Sequence, residues 1–186
     1  PELWLEYLRT RDARPLEAVF YHHKMDVLSL AALAGRLSQS LNLPQGTGFD
    51  HLEDRLSLVR LHFMQKNYQE VTEHGRRLLE EEAEVAIRCE CLYLMGMACK
   101  RLQQWVEMED AWTLLLAERP RDLVARLELA KYYEHRVRDL LAAERICEET
   151  LQFLETRSAL GADELPLGLE TFRVRLERIQ RKLGRM

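Results

Sequence analysis

The sequence predicts an all-α fold, in which a right-handed superhelical array of about three helical hairpins and a capping helix follows two further helices. Positions 34 residues apart share a structural role: Gly96 corresponds to Ala130, and Trp112 to Ile146. Apolar residues recur at three- and four-residue intervals, which is the spacing of a helix with one buried face. A helix pair that repeats at this period buries its apolar face by stacking on its neighbours.

Composition excludes several classes of protein. With 186 residues, 47% of them hydrophobic and 31% charged, the chain has room for one soluble helical domain or one domain plus a fragment. A net charge of −4 gives no overall attraction to nucleic acid or membranes. No apolar run is long enough to cross a membrane. The four cysteines form no CxxC pair, which indicates free thiols in a reducing compartment and a cytoplasmic location.

The first block of the sequence is residues 1–41, and it predicts two helices. A short helix covers Glu2–Arg9, and a long amphipathic run begins near Pro15 and reaches about residue 41. Residues 42–50 form the predicted linker, because they contain three helix breakers, Pro44, Gly46 and Gly48. Pro1 leads directly into helical pattern without an initiator methionine. We therefore expect a piece of a longer protein.

The repeat region is predicted at residues 51–186. Its hairpins are expected at about 51–83, 84–120 and 121–156, and its capping helix at 163–183. Helix axes approach closely only where a side chain is small, which is the role expected of Gly96, Ala130 and Ala142. Trp105 and Trp112 are expected to be largely buried, because a large aromatic side chain buries roughly 150–250 Å² at such an interface.

This region resembles the tetratricopeptide repeat family. The residues that carry the resemblance in the second copy are Gly96, Trp105, Trp112 and Pro120, and those in the third are Ala130, Tyr133, Ala142 and Ile146. A first copy, 37 residues upstream of the second, departs from the pattern at Val59 and Gly75. The resemblance implies a scaffold that binds a protein or peptide along the first helix of each hairpin.

The repeat register predicts which residues line that concave face: Arg60, Tyr93, Met97, Lys100, Lys131 and Glu134. A mostly cationic groove with an aromatic side chain suits an acidic peptide or a phosphate backbone. The alternative is that these residues form a solvated surface without a particular ligand.

The closing helix is strongly basic. Residues 171–186 carry six cationic side chains against one carboxylate. Arg178, Arg181 and Lys182, here named the basic cap, indicate either a solvated face or a phosphate-contacting surface. No aromatic side chain lies among these charges, which weakens the case for nucleic acid.

One motif in the first block has the residue types of a metal-dependent site. His22 and Asp26 are four residues apart and share a helix face. They resemble the last motif of ribonuclease-H-like, DEDD-type 3′–5′ exonucleases, in which the Asp binds metal and the His positions water. The alternative is an ordinary exposed pair on a helix. The resemblance implies Mg²⁺ or Mn²⁺ at Asp26, and nucleic acid as a partner, in a longer protein.

The function predicted for this chain is a protein-interaction scaffold with no catalytic activity, no cofactor and no membrane partner. The alternative is the C-terminal fragment of a metal-dependent 3′–5′ exonuclease-like protein, in which the repeats bind substrate or partner. One Asp cannot support two-metal chemistry, because several carboxylates must converge on the ions. We therefore expect the chain to be inactive as a nuclease.

Overall fold

The computed structural model describes residues 2–42, 51–159 and 166–184, and all regular structure in these ranges is helical, which confirms the predicted all-α class. The α-helices are α1 (Glu2–Thr10), α2 (Glu17–Asn42), α3 (Leu52–Met64), α4 (Tyr68–Leu79), α5 (Val85–Leu102), α6 (Trp105–Glu118), α7 (Leu123–Tyr132), α8 (Leu140–Ala159) and α9 (Pro166–Lys182). A 3-10 turn, Arg14–Leu16, precedes α2, and a π-helical turn, Tyr133–Val137, follows α7.

The chain divides into two compact units, residues 1–50 and residues 51–186. The first contains α1 and α2, and the 3-10 turn between them packs against both helices. Leu16 in that turn is buried, whereas many apolar side chains of α2 are exposed, among them Phe20, Leu30 and Leu33. The predicted linker falls almost wholly on residues 43–50, which lie outside the described ranges.

The second unit contains α3 to α9, and each of these helices packs against the next one along the chain. In addition, α3 packs against α5. The buried side chains form two clusters. One surrounds Trp112 with residues from α3 to α7, and the other surrounds Phe172 and Ile179 with residues from α7 to α9.

Small residues set the closest helix approaches. A Cβ atom built on Gly96 would lie 2.6 Å from Cε2 of Trp112, and one built on Gly75 would lie 2.6 Å from the Met95 side chain. Gly75, which departs from the family pattern, therefore makes room for a bulky residue of α5. On α8 the fully buried small residue is Ala143, while Ala142 is only half-buried. The predicted role thus belongs to the neighbouring alanine.

The turns within the three helix pairs share one backbone feature. Lys66, Gln103 and Arg138 all adopt the left-handed conformation, with φ of 62°, 60° and 63°. In the first two turns, the residue after the left-handed one makes the same backbone hydrogen bond, to the carbonyl five residues earlier. The amide of Asn67 donates to the carbonyl of His62 at 2.9 Å, and that of Gln104 donates to Cys99 at 2.9 Å. This pattern caps carbonyls that a helix end otherwise leaves unpaired.

Two predictions about the third helix pair and the tryptophans need adjustment. In the third hairpin, predicted at about 121–156, the first α-helix ends at Tyr132, because the chain widens into the π-helical turn. That turn places the Glu134 side chain in the interior. Trp112 is fully buried, as predicted, whereas Trp105 is half-buried and holds an arginine against its ring.

Candidate functional site

The candidate site is a pocket of about 370 Å³ in the second unit. Side chains from α5, α6, α7, the π-helical turn and α9 line it: Lys100, Trp105, Met108, Glu128, Lys131, Tyr132, His135, Arg136, Arg175 and Arg178. Five of these side chains are lysines or arginines, and one is a glutamate. The pocket therefore presents an excess of positive charge beside apolar surface.

Glu128 is the carboxylate in the lining, and it joins two neighbouring helices. Its buried side chain accepts hydrogen bonds from Lys100 on α5 and from Lys131, the latter at 2.7 Å. Burial alone raises the pKa of Glu128, but the hydrogen bonds from the two lysines outweigh it and hold the pKa below its usual value of 4.5. Glu128 is therefore ionised at neutral pH, and it positions both lysines at the pocket.

Glu134 lies directly behind the pocket and anchors the closing helix. Its fully buried carboxylate accepts hydrogen bonds from Arg175 at 2.6 Å, from Arg178 at 2.8 and 2.5 Å, and from Lys182 at 2.7 Å. Burial opposes ionisation, yet these bonds and the charge of His135 lower the pKa of Glu134 to about 2. Three cations share one carboxylate, so the cluster keeps a net positive charge.

The apolar wall of the pocket consists of stacked rings. The rings of Trp105 and Tyr132 lie 6.4 Å apart and are inclined by 21°. The guanidinium of Arg136 lies over Trp105, at 4.3 Å from the ring centroid. Such a cation–π contact orients the arginine without neutralising its charge. No ion pair involves Arg136 within the part of the chain that the structure describes.

The predicted groove residues fall in different places. Lys100 and Lys131 line the pocket, and Glu134 supports it from behind. Arg60 pairs with Glu90 of α5 at 2.5 Å, away from the pocket. Two further predicted groove residues pack against the core. Tyr93 meets Trp112 edge-on at 5.7 Å, and Met97 contacts the same buried cluster.

The basic cap is also divided. Arg178 lines the pocket and Lys182 pairs with Glu134, while Arg181 is exposed and does not line the pocket. The groove and the basic cap were predicted as separate surfaces, but residues of both line one pocket: Lys100 and Lys131 from the groove, and Arg178 from the cap. Arg136 and Arg175 also line this site, although neither was predicted to do so. The available signal was the three-residue spacing of Arg175 and Arg178, which puts both on one helix face.

The nuclease-like motif lies in the first unit. Nε2 of His22 is 3.7 Å from Oδ2 of Asp26, and both side chains are exposed, to 82% and 56%. Asp26 belongs to no group of three potential metal ligands among the described residues. The geometry is that of an exposed helix pair, and it also leaves the Asp26 carboxylate accessible.

One group of three potential metal ligands does come together in the described ranges: His62, Glu70 and His74, in the first helix pair of the second unit. The four cysteines are buried and unpaired, as predicted. Burial raises the pKa of Cys91 to about 12 and the pKa values of Cys99 and Cys147 to about 11, so these thiols are protonated and unreactive.

The chain is similar to YprB of Bacillus subtilis (strain 168), described as an uncharacterized protein. The two are 24% identical over 184 residues, which make up 98% of this chain and 42% of the relative. The chain thus spans less than half the length of this relative. No protein-family model matches the chain, and no solved structure matches it. No helix in the described ranges is both long enough and apolar enough to cross a membrane.

Proposed function

We propose that residues 51–186 form a tetratricopeptide-like superhelical module that binds an acidic segment of a partner protein in the basic pocket. The sequential packing of α3 to α9 supports the repeat arrangement, as do the three left-handed turn residues at Lys66, Gln103 and Arg138. A scaffold of stacked hairpins presents an extended surface for a partner.

The observation that carries the proposal is the composition of the pocket. Cationic groups attract carboxylates, and the stacked rings of Trp105 and Tyr132 offer apolar contact to a neighbouring side chain. Arginine and aromatic residues are also the types most often found at the centre of binding interfaces. The module is therefore expected to favour a segment that carries an apolar residue beside its carboxylates.

Arg136 provides the sharpest test of this binding. Lys100, Lys131 and Arg178 each hold a buried carboxylate, so their replacement would also disturb the fold. Arg136→Gln removes a pocket charge without breaking an ion pair. We expect it to weaken binding of a labelled oligoglutamate peptide with one leucine by roughly 1.5 kcal/mol, or about tenfold, in fluorescence anisotropy.

The matched control is Arg145→Gln, because Arg145 is exposed on α8 and does not line the pocket. An oligoglutamine peptide with the same leucine tests the need for negative charge. Binding should weaken as salt rises, because salt screens exposed charges. Equal binding of the two peptides, or equal losses from the two arginine variants, would reject the pocket as the site. If a single-stranded oligonucleotide binds more tightly than the oligoglutamate peptide, the ligand of the pocket is a nucleic acid and not a peptide.

A second candidate function is favoured by α2. We propose that His22 and Asp26 belong to the last helix of a ribonuclease-H-like exonuclease domain in a longer protein, with Mg²⁺ or Mn²⁺ at Asp26. The apolar side chains exposed on α2 would pack against that domain. The length of the relative, of which this chain covers 42%, supports a longer protein. The repeats would then bind substrate or partner.

This second candidate is tested on the longer protein encoded around this chain. Metal-dependent release of nucleotides from the 3′ end of DNA or RNA, lost in Asp26→Asn and retained in Lys24→Gln, supports it. Lys24 lies two residues away, so it points to another side of α2. A longer protein that is folded and inactive, or whose activity survives Asp26→Asn, argues against a nuclease role for this motif.

A further inference from the structure

His62, Glu70 and His74 meet where α3 and α4 join. His62 is in the last turn of α3, and Glu70 and His74 are four residues apart on the first two turns of α4. The turn between the helices is short, so it brings both elements back alongside each other. One ligand atom from each of the three residues lies within 4.8 Å of the other two.

The distances are close to those of a coordination shell. Bonds of about 2.0–2.2 Å to nitrogen and oxygen place the ligands of a tetrahedral Zn²⁺ ion about 3.4 Å apart. Oε2 of Glu70 already lies 3.5 Å from Nε2 of His74. Two ligand atoms at the 4.8 Å limit would have to approach each other by about 1.4 Å. Glu70 is about half-exposed and free to make that adjustment, while the two histidines are held by packing.

The two imidazole rings contact each other across the hairpin. They are stacked, with centroids 5.2 Å apart and an angle of 8° between planes. Nδ1 of His62 is buried and has no hydrogen-bond partner in the described part of the chain. A buried polar nitrogen without a partner is costly. This nitrogen therefore needs a partner: a ligand for its lone pair, or a rotation of the ring that gives it a hydrogen bond.

We propose that His62, Glu70 and His74 bind a Zn²⁺ ion. Two imidazole nitrogens and one carboxylate oxygen are a donor set that Zn²⁺ takes in proteins, and the exposed side of the site leaves room for water as a fourth ligand. The ion joins α3 to α4 and stabilises the first helix pair, the one whose sequence departs most from the repeat pattern. The site is separate from the basic pocket, which is lined by α5, α6, α7, the π-helical turn and α9.

The experiment is a Zn²⁺ titration of the full chain by calorimetry, with the cysteines kept reduced. Wild-type protein should bind one ion per chain and should melt at a higher temperature with Zn²⁺. Glu70→Gln and His74→Gln should each weaken binding at least as much as loss of an outer-sphere partner, which is about 10–100-fold. They should also remove the increase in melting temperature. Glu70→Gln changes an exposed side chain, so this variant keeps the native fold.

The matched control is His51→Gln, which removes an exposed histidine just before α3, outside both this site and the basic pocket, and should leave the affinity unchanged. Co²⁺ provides an independent readout, because nitrogen and oxygen ligands give weak visible bands, whereas thiolates add intense ultraviolet absorption. Three outcomes overturn the proposal: no saturable binding, unchanged affinity in both Glu70→Gln and His74→Gln, or a thiolate band that assigns the metal to the cysteines.

Discussion

The Arg178 guanidinium donates two hydrogen bonds to the Glu134 carboxylate, one from Nε at 2.8 Å and one from Nη2 at 2.5 Å. This contact ties α9 to the turn that follows α7. Among the described residues, Arg60 with Glu90 and Lys100 with Glu128 likewise join helices that are not consecutive in the chain. Side chains that were predicted to bind a ligand therefore form ion pairs that hold the helices together. Two of these pairs also position Lys100 and Arg178 at the pocket.

Removal of the Glu134 charge should loosen the closing helix. Glu134→Gln leaves Arg175, Arg178 and Lys182 close together without their shared carboxylate, and it weakens several charge-assisted hydrogen bonds. We expect a loss of roughly 1.5–3 kcal/mol in the free energy of unfolding, measured with urea. Glu148→Gln is the control, because Glu148 is exposed on α8. Similar stabilities of the two variants would mean that the cluster contributes little.

The same carboxylate should make stability depend on pH in the acid range. Its pKa is about 2 in the folded chain, against a usual value of 4.5. Because the folded value is the lower one, the stabilisation is complete above about pH 4.5 and is lost as the pH falls toward about 2. The difference in unfolding free energy between wild type and Glu134→Gln should therefore shrink over that range. A difference that stays constant between pH 5 and pH 2.5 would contradict the assignment.

Gly96 should tolerate no side chain, because Trp112 fills the space beside it. Gly96→Ala forces a methyl group toward the ring, and we expect destabilisation by roughly 1–3 kcal/mol, with a larger loss for Gly96→Leu. Gly35→Ala is the matched control. Apart from the adjacent backbone of α2, no atom of the described residues lies within 4 Å of a Cβ built there, so the alanine should stabilise the helix by about 0.5–1 kcal/mol. A neutral Gly96→Ala would show that α5 and α6 separate easily.

The sequence predicts the helices well, because each has its own apolar period and its own breakers. The second hairpin, predicted at about 84–120, contains α5 and α6, and Pro120 comes two residues after the end of α6. It fails where the outcome depends on partners distant in the chain. Arg60, Tyr93 and Lys100 share a predicted face, yet Glu90, Trp112 and Glu128 decide where each side chain lies.

The site shows the same limit. Arg175 and Arg178 reach the pocket because Glu134 turns inward, and that follows from the π-helical turn after Tyr132. The sequence pattern predicts a continued α-helix there, which would rotate Glu134 to a different position. His62 likewise meets His74 only because α3 and α4 fold back on each other. Spacing along one helix cannot indicate a contact made between two.

The chain by itself should not hydrolyse nucleic acid. Phosphoryl chemistry with two metal ions needs several carboxylates around the ions, whereas Asp26 is exposed and pairs with His22 at 3.7 Å. With Mg²⁺ or Mn²⁺, wild-type chain should hydrolyse fluorogenic single-stranded DNA and RNA no faster than Asp26→Ala does. His135→Gln serves as a second comparison, because it changes a histidine outside the motif. Hydrolysis by wild type and His135→Gln that disappears in Asp26→Ala would show that the chain contains a complete site.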